Sequence, residues 1–197
     1  MSMSEGALPR STRAQLYRLF SKLLTIELGE AQLAQLRQQA GLLGEADPEL
    51  GSWLGNASPE TLVSLRSEFA RLFLLPKGVN PRASTWLADE EEPLAAQLTA
   101  LTHRCMAALE LEQTGRFGSL ALDHLGLLYA VASEALDSPN EERAELGEHF
   151  EREALGPWVQ SFARALEAKS TAPLYRALAR AIALTQDLNR PASATSA

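Results

Sequence analysis

The chain is poor in the residues from which most sites of chemistry are built. It has one cysteine, Cys105, and three histidines, His103, His124 and His149, in 197 residues. A single cysteine excludes an internal disulfide, and in mid-helix it packs as a small hydrophobe. The histidines are widely spaced, and there is no HExxH, no CxxC and no Glu-x-x-His unit of the kind a di-metal helical bundle uses. Glu145, His149 and Glu153 stand at helical spacing, but no metal and no cofactor are expected. The phosphate-cradling GxxxxGK[ST], the strand-linked GxGxxG and the nucleophile motif GxSxG are all missing. No apolar run approaches the length of a membrane span. The N-terminal "MSMSEGALPRSTRAQLYRLF" has no apolar stretch behind a basic start, so no secretory signal is expected and the cytoplasm is the expected compartment. Positive charge is also in deficit: 18 Lys and Arg against 25 Asp and Glu leave a net charge of −7, which argues against nucleic acid as the partner.

What the chain has in quantity is leucine and alanine at helical spacing. Leu16, Leu19, Phe20, Leu23 and Leu24 form a first stripe behind Ser11 or Thr12 as cap, with Gly29 as the stop. A second helix carries Leu33, Leu36 and Leu43 and closes at Gly41 and Gly44; a short piece after Asp47-Pro48 carries Leu50, Trp53 and Leu54. Ser58-Pro59, Pro93 and Thr171 with Pro173 open further helices, and "SPNE" from Ser138 reads as a capping box. "LPKGVNP" stops the helix that carries Phe69, Leu72 and Phe73, and "RASTWLADEEE" follows it as irregular chain. "QTGRFGS" reads as a loop, and Gly156-Pro157 makes the last break before the helix of Trp158, Phe162 and Leu166. No strand alternation and no fixed-period repeat appear. The expected fold is all-α, a single compact helical bundle of about eight or nine helices over residues 1–188, with 189–197 a disordered polar tail.

Two features depart from a plain bundle. "SLALDHLGLLYAVASEAL", Ser119 to Leu136, reads as one buried helix, yet Asp123 and His124 sit in its first turns. Helical neighbours point about 100° apart, so the two do not face each other as an acid–base pair. Asp123 can serve the helix dipole and His124 a nearby loop; alternatively both mark a polar contact point at the mouth of an apolar groove. The second feature is the Pro/Gly loop after Phe73, which carries Arg82 and Trp86. It is either a linker whose Trp86 folds back onto the core or a binding loop.

Three patches in fixed order resemble the TorD/DmsD family of cytoplasmic chaperones for molybdoenzymes, related to the NarJ type. "FARLFLLPKGVNPRASTW" supplies Phe69, Leu72, Phe73, Pro81, Ser84 and Trp86; "LDHLGLLYAVAS" supplies Asp123 and His124; "FEREALGPWVQSFARAL" and "PLYRALARAI" complete the match. Arg82 stands where some members carry another aromatic. The resemblance implies a binding module, not an enzyme. Its partner would be a molybdoenzyme catalytic subunit and that subunit's twin-arginine signal peptide, held until the cofactor is in place. Peptide contacts would come from the eight residues just named, with Tyr17 added from the first helix and Asp123 facing a leader arginine. Monomer and homodimer both suit the sequence. The competing readings are a helical small-molecule or nucleotide-binding protein, an enzyme using Asp123 and His124, and a general peptide-binding adaptor.

Overall fold

Where proline follows a side chain able to accept a hydrogen bond, a helix starts. Asp47 caps α4 (Pro48–Gly55), its carboxylate accepting from Leu50 N at 3.1 Å. Ser58 stands before α5 (Pro59–Phe69), with Thr61 Oγ1 accepting from its backbone N–H at 2.9 Å. Both placements satisfy N–H groups that a helix leaves free in its first turn.

The computed structural model describes residues 8–87, 93–156 and 158–189. Among them are eleven α-helices, not eight or nine. The others are α1 (Arg10–Thr25), α2 (Glu30–Gln38), α3 (Ala40–Ala46), α6 (Ala83–Trp86), α7 (Pro93–Ala108), α8 (Leu125–Leu136), α9 (Glu141–Ala154), α10 (Trp158–Lys169) and α11 (Pro173–Asn189). No strand occurs among the described residues; one isolated antiparallel bridge does. Two differences account for the higher count. The helix expected to end at Gly41 and Gly44 is two helices that break at Gln39, with both glycines inside α3. Part of the irregular segment, Ala83–Trp86, makes one helical turn. Caps shift as well. Pro9, not Ser11 or Thr12, precedes α1; Gly29 opens α2; and Asn140, not Ser138, caps α9 by accepting from Arg143 N at 3.1 Å. The last helix includes Asn189, and the tail 190–197 lies outside the described residues.

The core is built around α8. Ten of its twelve residues are buried, which is what an almost uniformly apolar helix requires. It lies between α1 and α9, with α10 and α11 packed on each other beside them. Tyr17 and Phe20 of α1 meet Tyr129 of α8 at ring-centroid distances of 5.0 and 5.4 Å. Gly147 lets α9 approach closely: a Cβ there would stand 2.7 Å from that of Ala135.

A buried polar network closes the bundle around Glu151 of α9, which is 7% exposed. Arg13 and Tyr17 of α1 both donate to it, and Asn189 of α11 donates to Glu151 at 3.0 Å and to the Tyr17 hydroxyl at 3.1 Å. Burial raises the Glu151 carboxyl above the usual range, although Tyr17 and Arg13 pull the other way.

Past Phe69, α5 widens into one π turn, Ala70–Leu74. The chain then doubles back tightly: Val79 N donates to Leu72 O at 2.5 Å, and a Cβ on Gly78 would fall 2.2 Å from that same oxygen. Only glycine fits so close an approach. Glu68, one residue before the widening begins at Phe69, ties this corner to the head of α11, accepting from Thr171 N at 2.6 Å and from Arg71 Nη2 and Nε, each at 2.8 Å. Burial works to raise its carboxyl, but Arg71 and Thr171 outweigh burial and hold it at about 2.

Candidate functional site

The loop after the π turn is fastened to the start of α8. Ala83 N donates to Asp123 O at 3.0 Å and Leu125 N to Pro81 O at 2.7 Å, which makes the isolated bridge between Arg82 and His124. The Asp123 side chain completes the fastening. Its Oδ1 accepts from Arg82 Nε at 3.0 Å and its Oδ2 from Ser84 N at 3.1 Å. Asp123 is 3% exposed. Burial works against its charge, yet the hydrogen bonds from Ser84 and Arg82 outweigh that and keep its pKa below the usual value.

This pairing explains why helix does not begin at Ser119. Residues 119–124 form turns, and α8 starts at Leu125. Asp123 therefore stands before the helix and His124 is its N-cap, Nδ1 accepting from Gly126 N at 3.1 Å. With Nδ1 as acceptor, the neutral ring carries its proton on Nε2. Burial pushes the imidazole down to about 4, and the nearby Arg82 adds to this while Asp123 opposes it. Neither group is poised as a free acid or base.

A pH dependence follows. The unfolded imidazole takes a proton below about 6.5, whereas the folded one resists until about 4. The unfolded state thus binds more protons in that window, and stability falls as pH falls through it. The loss is on the order of 2–3 kcal/mol. His124→Asn keeps a side-chain oxygen for the cap and removes the titration. Urea denaturation of the variant between pH 6.5 and 4 is expected to show a shallower loss than the wild type.

The residues singled out in the sequence separate into groups. Pro81, Ser84, Asp123 and His124 meet at the fastening. Trp86 folds back: its ring meets Phe162 edge-on at 6.0 Å, and Nε1 donates to Asn80 O at 2.8 Å. Phe69 and Leu72 are core, and half-buried Phe73 packs edge-on against Phe69 and Tyr175 at 5.2 and 5.6 Å. Tyr17 lies elsewhere, wholly buried in the Glu151 network. Most of these side chains hold the loop in place instead of lining open surface. Burial also raises the Cys105 thiol to about 11, so it stays protonated at neutral pH.

Open surface lies on both sides of α7. One groove, of about 750 Å³, runs between α7 and the fastening, bordered by Ala95, Ala96, Thr99, His103, Leu122 and Arg82. The other, of about 460 Å³, runs between α7 and the α9–α10 corner, bordered by Leu87, Leu94, Leu101, His149, Glu153 and Trp158. Ala100 and Arg104 border both. The sequence gave no sign of this: the exposed alanines of α7 look like ordinary helix formers, and Arg82 pairs with a residue 41 positions away.

The nitrate reductase delta subunit family matches the chain over residues 30–164. The chain belongs to this family. Membership bears out the resemblance to the TorD/NarJ-type molybdoenzyme chaperones and sets the chain among chaperones, not enzymes. Within the nitrate reductase delta subunit family match lie the π turn, the fastened loop, α7 and α8. A curated relative, the chaperone protein TorD of Psychrobacter sp. (strain PRwf-1), is 29% identical over 174 residues, covering 78% of each chain. No solved structure matches significantly. No helix among the described residues is long and apolar enough to cross a membrane.

Proposed function

We propose that this chain is a cytoplasmic maturation chaperone that holds the twin-arginine leader, the apo body or both of a molybdenum-cofactor oxidoreductase, before cofactor insertion and export. The observation that carries this reading is the pair of open grooves that share Ala100 and Arg104 on α7. Small side chains allow close approach by an apolar segment, and the segment's backbone would need no register with a sheet edge. Burial at roughly 25 cal/mol per Å² supplies affinity, from which ordering costs are subtracted.

The arginines need carboxylates. Asp123 is already engaged by Arg82 and Ser84, so in this reading it is a positioning residue that fixes one groove wall. Pro81, Ser84, Trp86 and His124 support the same wall, and Phe69, Leu72, Phe73 and Tyr17 the core behind it. Exposed Glu153, which borders the second groove and makes no hydrogen bond or ion pair among the described residues, is the acid open to a leader arginine.

Calorimetric titration with a twin-arginine leader, against the same peptide with both arginines changed to alanine, tests this. Loss of both charges is expected to weaken binding at least about tenfold, as two charge-assisted hydrogen bonds disappear. Glu153→Gln should reproduce part of that loss. Equal binding of the two peptides would reduce the site to a generic apolar groove. No binding of either would overturn leader recognition.

A further inference from the structure

A recess that the proposed function does not use lies between α1, α8 and the segment leaving α7, with a volume of about 230 Å³. Its wall is apolar, made by Met106, Leu111, Phe117, Leu127 and Val131. One polar group breaks that wall. Ser21 is 1% exposed and its hydroxyl has no hydrogen-bond partner. Other helical hydroxyls in this chain return a hydrogen bond to the carbonyl four residues back, as Thr102 does to Leu98 at 2.8 Å and Thr185 to Ala181 at 2.8 Å. Ser21 does not, and a buried hydroxyl without a partner is a group still waiting for one.

Charge surrounds the same recess. Arg18 and Lys22 flank Ser21 on α1, and Arg116 borders it from the other side. Arg18 is committed to Asp137 at 3.0 Å and Glu134 at 3.7 Å. Lys22 and Arg116 make no hydrogen bond or ion pair among the described residues; the Arg116 guanidinium sits 4.5 Å from the centroid of the Phe117 ring. Of the acids at the rim, Glu134 is taken up by Arg18, which leaves Glu112 against two uncommitted cations.

We propose that this recess binds a small apolar carboxylate. Its hydrocarbon part would lie against Phe117, Leu127 and Val131, and its carboxylate would accept from the Ser21 hydroxyl within the field of Lys22. Size sets the class: a cavity of about 150 Å³ takes benzene, so this one suits a molecule of about ten non-hydrogen atoms and is too small for a drug-sized ligand.

Titration of the full ¹⁵N-labelled chain with sodium octanoate, followed by amide shifts, tests the proposal, with 1-octanol and octylamine as comparators. Octanoate is expected to saturate in the millimolar range or below, with 1-octanol at least about threefold weaker and octylamine weaker again. Ala130→Leu, which fills the recess from its half-buried wall position, should abolish octanoate binding. Lys22→Met leaves the core untouched and should weaken octanoate without changing octanol. Absence of saturable binding, equal affinity for octanol, or undiminished binding in Ala130→Leu and Lys22→Met would each overturn it. Leader affinity in Ala130→Leu is expected to stay at the wild-type value, so the two proposals fail separately.

Discussion

Arg13→Met is expected to destabilise the chain by about 3 kcal/mol at neutral pH, the usual cost of stripping one partner from a buried ion pair. Arg13 is 12% exposed and Glu151 8% by side chain, and the guanidinium joins Glu151 to Glu148, which it reaches at 3.1 Å. Without it, Glu151 keeps Tyr17 and Asn189 as donors but loses its only cation among the described residues. Burial already raises that carboxyl, and the loss of Arg13 raises it further. A carboxylate whose folded pKa lies above its unfolded value favours the native state at low pH and loses that contribution as pH rises. The defect should therefore shrink on acidification, opposite in sign to the His124 effect. Urea denaturation at pH 7 and pH 5 checks both points. Glu151→Leu added to Arg13→Met should recover a large part of the loss, since an apolar pair removes the uncompensated charge. A double variant no more stable than the single one would place the cost in packing, not charge.

Asp123→Ala is the second large effect. It removes the acceptor for both Arg82 Nε and Ser84 N and leaves the two bridge hydrogen bonds alone to hold residues 79–87. The expected loss is about 2–3 kcal/mol, from one charged hydrogen bond and one buried N–H left unpaired. Hydrogen exchange should rise in 79–87 and at the first turn of α8, and leader affinity should fall with it. Asp123→Asn retains one acceptor oxygen and should sit between the two. Unchanged exchange in Asp123→Ala would mean that the backbone bridge alone fastens the loop.

How much of this was legible beforehand depended on range. Ser58-Pro59, Asp47-Pro48 and Pro93 mark helix starts through local rules, and the structure places helices there. The apolar stripes of α1, α8, α10 and α11 pointed to the core. Asp123 and His124 stood out as the right residues, but their setting was misread as helical because Ser119–Leu122 contains no helix breaker. What unwinds that segment is its pairing with residues 81–84, some forty positions earlier. Glu68 and Glu151 left no sequence trace for the same reason: an acid on an amphipathic helix looks alike whether it faces water or a distant backbone N–H. The grooves beside α7 are spaces between elements, and no run of residues spells a space.

The π turn at Ala70–Leu74 makes the chain count residues at the point where α5 hands over to the loop. A deletion of one residue there would return the helix to ordinary pitch and swing everything beyond it by roughly 100°. Exposed Leu74 would then take the direction of Phe73, between Phe69 and Tyr175, and the Leu72 carbonyl would turn away from Val79. The spelling of this segment can drift among apolar residues more freely than its length can change.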